Sequence, residues 1–595
     1  MEDDAGGPQT ALIPGHGPVV HKRERKNILR LDLEESDKLI RAWIGIQEKS
    51  RQNPDDPDGF FVIAGYHGQP FRGAGYGNKD WWGGYCHHGN VLFPTWHRAY
   101  LLCLEEALGK IEGCEGIALP YWDEMNGVPE HEEIVVPKIF TDKKYRFING
   151  EEVDNPIYSY KLAQGFKDNL SRPGVDYGKP SDYETVRYPF SGLQTSQARA
   201  HNDIMATMTD DELTKLLNKN VKNWFVDHKA SKAKGSANGT RTDYRQCLEA
   251  PNYTVFSNTT SAGKWNDVHA ENEPLVVPLE RPHNKTHLAV GGYDMPDWNT
   301  GTGANGDMGE NDTAAFDPIF FFHHCFVDRV FWKWQERNSG LEGSVDGVTI
   351  IEQYPGTSPV DSQGPTPGID GGSWLTMDTP LYPFKNPNHR EEPNCREECN
   401  CREEPISREE PISRGEPISL GEPISRGEPK YYTSKDMADL NCLPYKYDNT
   451  YIEPLDQLNV EHFDQMPASP SPERLQTMIT RSDLSIPANF HLRNPDGQAS
   501  YIRISGIDRS AISGSFIVSA WTTVPTSDGI LETLIGCDAV LSRWNVRGCA
   551  NCNNHLGVTT HISLANFPRS FINNRTITLK LHTRDVRGML GNATY

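Results

Sequence analysis

Two histidine-rich segments in apolar, aromatic sequence constrain the fold of this chain more than any other feature. The first reads GGYCHHGNVLFPTWHR over residues 83–98, and the second reads IFFFHHCFVDRVFWKW over residues 319–334. A buried imidazole needs a hydrogen-bond partner or a metal ion, because an unpaired polar group inside a core is costly. We therefore expect a fold that brings several rings together inside a dry core.

The histidines that suit a metal site fall into two sets of three. They are His67, His88 and His97 in one set, and His283, His287 and His324 in the other. Neutral imidazole binds copper, zinc, iron and nickel. His283 and His287 are four residues apart and share a helix face, whereas the spacing from His88 to His97 places His88 in a loop. Spacing alone leaves open whether the neighbouring His87 and His323 bind instead.

Three amphipathic segments predict the helices that carry these rings. Residues 30–48 place apolar side chains at helical spacing behind a capping box formed by Asp32 and Glu35. A second helix is expected to open at His97, and a third after the Asp317–Pro318 pair. Asp328 lies one turn beyond His324, so we expect it to hold that helix or to accept a hydrogen bond from that ring.

The rest of the chain divides by composition. A proline- and charge-rich six-residue repeat over residues 389–429 predicts a disordered insertion, and residues 449–483 predict a linker. Residues 484–595 alternate polar and apolar side chains with period two, which predicts an antiparallel β domain. The residues before this linker are expected to form the core domain.

Charge and composition exclude several kinds of partner. The formal net charge is −22, which disfavours a nucleic-acid backbone or an anionic membrane as partner. The first residues carry no basic, apolar leader, and no stretch reaches about 18 apolar residues, so we expect a cytoplasmic protein. Twelve cysteines in 595 residues are too sparse for a disulfide scaffold. The Cys549–Cys552 CxxC could be redox-active, bind zinc or bind Cu(I).

The order of the histidine motifs resembles the type 3 copper family, most closely the intracellular tyrosinases of filamentous fungi. The motifs are GYHG, CHHGN followed by FPTWHR, PHNKTH, and DPIFFFHHCFVD. The resemblance covers residues 20–380 well and the β domain less well. It implies a mainly α core, in which a four-helix bundle holds two copper ions, and a C-terminal antiparallel β-sandwich. Tyr445 and Tyr447 match the tyrosine motif that ends the family's core domain, so the core is expected to span residues 1–448.

The resemblance also implies roles for single residues. Copper would be held by His67, His88, His97, His283, His287 and His324, with dioxygen as co-substrate. Cys86 would form a thioether with His88, and Glu280 and Asn284 would position the water that takes the phenol proton. In the β domain, Val540 and Leu541 would plug the phenol pocket, while Cys549 and Cys552 would load copper.

The implied activity is that of a tyrosinase. It would hydroxylate monophenols such as tyrosine and oxidise o-diphenols to o-quinones, leading to melanin-type pigments, in a chain kept latent by its β domain. The alternatives are a catechol oxidase or o-aminophenol oxidase without monophenol turnover, or a haemocyanin-like oxygen carrier. A dizinc hydrolase is disfavoured because neither set contains a bridging carboxylate. A homo-oligomer remains open.

Overall fold

A computed structural model describes most of the chain. The described residues are 22–70, 84–126, 135–167, 177–229, 235–269, 273–293, 304–357, 373–387, 431–449, 489–493, 501–526, 529–546, 549, 552, 555–568, 576–583 and 587–594. The predicted insertion at 389–429 lies outside them, as does all but residue 449 of the predicted linker.

Eleven helices are formed in the described part of the N-terminal region. They are α1 (Leu33–Gln52), α2 (Phe60–Gly65), α3 (Phe93–Gly109), α4 (Ser196–Met205), α5 (Asp210–Phe225), α6 (Thr240–Cys247), α7 (Tyr253–Ser257), α8 (Thr259–His269), α9 (Glu280–Gly291), α10 (Ile319–Asn338) and α11 (Ser434–Ala438). Short 3-10 turns precede and follow several of them. None of the helices within the described ranges is long and apolar enough to cross a membrane.

The start of α1 follows the sequence prediction. Asp32 accepts a hydrogen bond from the Glu35 backbone at 2.8 Å, and the Glu35 side chain accepts one from the Asp32 backbone at 3.1 Å. Helix α3 begins at Phe93, four residues before His97, because Pro94 fits the first turn. The prediction that His97 opens this helix is therefore wrong by one turn.

The helical region also contains short two-stranded ladders. Strands β1 (Arg23–Arg25) and β10 (Tyr445–Tyr447) pair in parallel and join the start of the described chain to the end of the core. The other strands, all paired antiparallel, are β2 (Lys144–Arg146) with β3 (Glu152–Asp154), β4 (Phe166–Lys167) with β5 (Gly178–Lys179), β6 (His228–Lys229) with β7 (Ser236–Ala237), and β8 (Pro380–Lys385) with β9 (Tyr431–Thr433).

The C-terminal region forms two antiparallel sheets, as its period-two pattern predicts. One has the order β11 (Asn489–Arg493), β12 (Tyr501–Asp508), β15 (Gly557–Ser563). The other has the order β14 (Gly529–Val540), β13 (Phe516–Thr526), β16 (Thr576–His582), β17 (Arg587–Thr594). Apolar side chains from both sheets, including Ile504, Val518 and Leu579, form one buried cluster. A helical core followed by a strand-rich region is confirmed, while the bundle and sandwich geometries stay predictions.

The β region packs directly on the helical core. Strand β14 contacts α9, and β15 contacts α8. Side chains of the β region, among them Trp521 and Leu541, belong to the same buried cluster as the core helices. The two helices that the β region covers therefore include the one that carries His283 and His287.

Candidate metal centre

All six histidines of the two predicted sets are buried in one region of the core. His67, His283 and His287 are fully buried, and the most exposed ring, His88, is 9% exposed. The rings of His97 and His324 stack with centroids 4.5 Å apart, so the two sets are in direct contact. The six imidazoles therefore meet in one buried region of the core.

The second set meets through ring nitrogens. Nε2 of His324 lies 3.3 Å from Nε2 of His283 and 3.3 Å from Nε2 of His287. Helix α9 presents its two rings on one face because they are four residues apart, and α10 supplies the third. Three imidazole nitrogens this close together, with a ring nitrogen of His323 also within 4.8 Å, suit a shared metal ion.

Oxygen acceptors behind the rings fix which nitrogen faces this meeting point. Nδ1 of His283 donates to Oδ1 of Asn284 at 2.9 Å, and Nδ1 of His287 donates to the Met308 carbonyl at 2.8 Å. In the first set, Nδ1 of His97 donates to the Phe93 carbonyl at 2.8 Å. Each contact leaves Nε2 as the lone-pair donor, the arrangement usual for histidine ligands.

His323 has a different partner from its neighbour His324. Its Nδ1 lies 2.5 Å from Oε1 of Glu124, a fully buried carboxylate whose other oxygen accepts hydrogen bonds from Tyr244 at 2.7 Å and Thr286 at 2.9 Å. Burial raises the pKa of Glu124 well above its ordinary value. Nε2 of His323 is nevertheless buried without a partner among the residues that the structure describes, and His323 belongs to the same cluster as His283, His287 and His324. The choice of His324 over His323 therefore stays a prediction. Sequence reasoning missed Glu124, which stands in LPYWDEMN without any recognisable motif.

The first set combines rings from three places in the chain. A ring nitrogen of His67, another of His88 and the Cys86 sulfur all lie within 4.8 Å of one another. The ring of His97 has its centroid 5.2 Å from that of His88 and 5.6 Å from that of His67. Neighbouring His87 instead faces the Asn90 amide at 3.2 Å.

Several ring nitrogens of the first set have no hydrogen-bond partner in the described part of the chain, and this shows whether the rings suit metal ions. Both ring nitrogens of His67, and Nε2 of His88 and His97, are buried without a hydrogen-bond partner among the described residues. Burial lowers the pKa of all three rings, to about 3 for His97, so they are neutral at physiological pH. Neutral, buried and unpaired imidazoles fit copper ions, because the metal replaces the missing partner.

Asp328 does not contact the His324 ring. Its carboxylate accepts from Nε of Arg98 at 2.6 Å, from Nη1 of Arg25 at 3.0 Å, and from the hydroxyls of Tyr445 and Tyr447 at 2.6 and 2.7 Å. Burial opposes its ionisation, but the two guanidinium groups outweigh burial and lower its pKa. The ring-orienting part of the prediction is wrong, because the arginines and tyrosines occupy the carboxylate. Its helix-holding part matches these contacts.

A cavity of about 240 Å³ lies beside the second set, between the core and the β region. Glu280 and Asn284 line it from the core, and Val540 and Leu541 line it from the β region. Oε1 of Glu280 accepts from the Gly89 backbone at 2.8 Å, and Oε2 accepts from the Thr259 backbone and hydroxyl at 2.8 and 2.9 Å. Burial raises the pKa of Glu280, although these donors lower it.

The β region also reaches the first set of histidines. Nη2 of Arg543 donates to the His67 carbonyl at 3.0 Å and to the Cys86 sulfur at 3.1 Å, and Nη1 lies 3.2 Å from Oδ1 of Asp312. Cys549 and Cys552 share a hydrogen bond beside this guanidinium. The hydrogen bond from Cys552 and the positive charge of Arg543 lower the pKa of Cys549 to about 7, although burial raises it.

Comparison with known proteins agrees with this geometry. Residues 57–337 match the family model described as the common central domain of tyrosinase. The chain is 42% identical to a tyrosinase of Aspergillus oryzae over 97% of this chain and 96% of that one. It is 39% identical to tyrosinase HcTyr2 of a Hahella species, over 88% of this chain and 84% of that one.

Solved structures extend the likeness to the whole fold. A tyrosinase from Burkholderia thailandensis at low pH superposes with a TM-score of 0.67 at 36% identity, covering 94% of this chain and 95% of that one. The apo-protyrosinase of Aspergillus oryzae shares the fold with a TM-score of 0.53, covering 97% and 96%. The chain therefore belongs to the tyrosinase family, the oxidoreductases that oxidise phenols at a binuclear type 3 copper centre.

Proposed function

We propose that this chain is a latent tyrosinase whose two copper ions are each held by three of the six buried histidines. His67, His88 and His97 would hold one ion, and His283, His287 and His324 the other. The observation that supports a metal centre here is the set of ring nitrogens that are buried and either unpaired or in contact with one another, and the family motif selects His324 over His323. When bound, the copper pair supplies the two-electron chemistry with dioxygen.

Glu280 and Asn284 handle the phenol proton in this proposal. A free phenol has a pKa near 10, so deprotonation at neutral pH needs a base beside the ring. Both side chains line the cavity next to His283, and Glu280 is held rigidly by Gly89 and Thr259. We propose that Glu280 and Asn284 position the water molecule that accepts the proton. Asn284 also keeps the His283 ring in orientation.

Cys86 is proposed to form a thioether with His88, in which an S–H bond and a ring C–H bond are replaced by one S–C bond. The two electrons and two protons released would be taken up by dioxygen, the co-substrate of the family. The Cys86 sulfur lies within 4.8 Å of a His88 ring nitrogen, and Arg543 and Asn311 point N–H groups at the sulfur from 3.1 and 3.9 Å. Such a bond would fix the one ring of the first set that comes from a loop. After proteolytic digestion of copper-loaded protein, mass spectrometry should find the peptide that contains Cys86 and His88 lighter by two hydrogen atoms.

The β region is proposed to act as the shield that keeps the chain latent. Val540 and Leu541 occupy the wall of the cavity opposite Glu280, where they would block a phenol ring. Cys549 and Cys552 are proposed to load copper, since a thiol with a pKa near 7 is partly thiolate, the form that binds Cu(I). The domain limits are proposed at Asp448 and at residue 484, with a four-helix bundle before and a β-sandwich after.

The decisive experiment compares monophenol and diphenol turnover. Copper-loaded protein, before and after brief acid treatment, is given tyramine and 4-methylcatechol, and quinone absorbance is followed. A tyrosinase oxidises both substrates, and more strongly after treatment. Glu280→Gln should retain catechol oxidation while losing tyramine oxidation. Oxidation of catechol alone by the unchanged chain would favour a catechol oxidase, and reversible oxygenation without either activity would favour an oxygen carrier.

A further inference from the structure

Helix α8 forms a wall of the same cavity and carries two opposite charges. Lys264 and Asp267 are three residues apart, so they lie on one face of the helix, and both line the cavity together with Glu280 and Asn284. The other core side chains that line it, Thr259, Thr260, Asn284 and Pro355, are uncharged. Charge on the core wall therefore comes from Lys264, Asp267 and Glu280.

These three charged groups differ in what they already bind. Glu280 is occupied by donors of the core itself, from Gly89 and Thr259. Lys264 is exposed and makes no ion pair with any residue in the described ranges. Asp267 is partly buried, and its ion-pair partners among the residues that the structure describes both belong to the β region, so they depend on the position of that region.

Arg503 and His561 are those partners of Asp267. The Arg503 guanidinium binds both carboxylate oxygens, with Nη2 to Oδ2 at 2.7 Å, and Nε2 of His561 lies 2.9 Å from Oδ1. When the β region moves aside, a partly buried carboxylate loses both hydrogen-bond donors. The Asp267 carboxylate then faces the opened cavity, and a cation that enters there can replace Arg503 as its charge-assisted hydrogen-bond donor.

We propose that Asp267 and Lys264 determine which phenols this enzyme prefers. Asp267 binds the side-chain ammonium of phenolic amines, and Lys264 binds the carboxylate of phenolic amino acids. In the latent chain, Arg503 occupies the ammonium position. The inference rests on the proposed function only in taking this cavity as the phenol pocket, and it adds the two residues that would distinguish phenolic amines, phenolic amino acids and uncharged phenols.

The experiment separates the two charges with four catechols. Full-length, copper-loaded chain is treated with acid until 4-methylcatechol oxidation rises no further, so that every variant is fully open. It is then assayed with dopamine, L-DOPA, 4-methylcatechol and 3,4-dihydroxyphenylpropionate. Asp267→Asn should raise KM for dopamine and L-DOPA about tenfold while leaving KM and kcat for 4-methylcatechol unchanged. Lys264→Ala should raise KM for L-DOPA and for the propionate, but not for dopamine. Asp203→Asn, at an exposed site on α4, is the matched control and should change none of them.

Other outcomes have distinct meanings. If Asp267→Asn changes KM for all four catechols equally, or for none, the specificity role is refuted. Retained 4-methylcatechol turnover shows that the variant is folded and that the copper site is intact. If the unchanged chain fails to oxidise 4-methylcatechol, the proposed function itself fails, and that result is visible before any variant is compared.

Discussion

At the scale of single residues, the acceptors behind the histidines matter as much as the ligands. Asn284, the Met308 carbonyl and the Phe93 carbonyl each take a ring Nδ1–H and leave Nε2 for a metal ion. Glu124 is the acceptor for Nδ1 of His323, the neighbour of His324. The other oxygen of Glu124 accepts hydrogen bonds from the Tyr244 and Thr286 hydroxyls. Such groups orient ligands and raise their basicity.

Glu124→Gln is expected to weaken the second copper site. The amide cannot accept as strongly from His323, and its N–H groups would compete with the Tyr244 and Thr286 hydroxyls. Glu124 reaches the ligands only through His323, whose ring packs 5.3 Å from His283 and 4.9 Å from His287 between centroids. We therefore expect a loss of about tenfold in copper affinity, the low end of the range for groups that orient ligands directly. Copper per chain during titration with a chelator measures this, with the exposed Glu112→Gln as control. Unchanged copper retention in Glu124→Gln would contradict the role.

At the scale of elements, a buried charge network holds the first strand, two core helices and the last core strand together. Arg25 of β1 binds Glu105 of α3 at 2.9 Å and Asp328 of α10 at 3.0 Å. Arg98 of α3 also binds Asp328, and Tyr445 and Tyr447 of β10 donate to it. The helices that carry His97 and His324 are therefore fixed relative to each other by side chains that never touch the metal.

Asp328→Asn should destabilise the core strongly. Removing one partner of a buried ion pair leaves Arg25 and Arg98 without full compensation, which costs about 3–5 kcal/mol. The midpoint of chemical denaturation should fall clearly, whereas the exposed Asp378→Asn should leave it in place. A variant as stable as the unchanged chain would show that the network is not needed for folding.

Sequence patterns predicted the elements better than the contacts between them. The capping box at Asp32 and Glu35, the four-residue spacing of His283 and His287, and the alternation in the β region are local signals, and the structure follows each one. The partner of Asp328 is determined by the tertiary fold and not by local sequence spacing. One helical turn separates it from His324, yet Arg25, 303 positions away, binds it instead.

The same limit explains which parts of the site were missed. Glu124, Asp312 and Arg543 stand in no motif, and each acts through residues distant in the chain, with Arg543 reaching the His67 carbonyl across 476 positions. Spacing also could not choose within the His323–His324 pair, because adjacent residues on a helix differ only in which partner each meets. Those partners, Glu124 and the α9 rings, come from the tertiary fold.

At the scale of the whole molecule, the β region closes the cavity beside the histidines. Val540→Ala is expected to raise the activity of the untreated chain toward 4-methylcatechol, because removing two methyl groups enlarges the cavity opposite Glu280. Val524→Ala, buried within the β region away from the cavity, removes the same volume and should give no gain. Equal gains in both variants would mean that general loosening, and not the plug, controls access.

Protonation of Asp267 at low pH should help the β region to move away from the cavity. Burial alone would raise the pKa of this carboxyl, but hydrogen bonds from His561 and Arg503 outweigh burial and lower it. A lowered pKa stabilises the closed form above the ordinary carboxyl range, and this stabilisation is lost as the pH falls through the lowered value. Asp267→Asn should therefore open at a higher pH, measured as latent catechol oxidation after brief exposure to each pH. An unchanged opening pH would exclude Asp267 as a contributor.

Metal content tests the central claim most directly, because the account requires two ions held by two separate sets of rings. Copper per chain is measured in purified, fully loaded protein and in two variants, His67→Ala and His287→Ala. The account predicts two copper atoms per unchanged chain and one in each variant. One copper atom in the unchanged chain, or two retained in either variant, would contradict it.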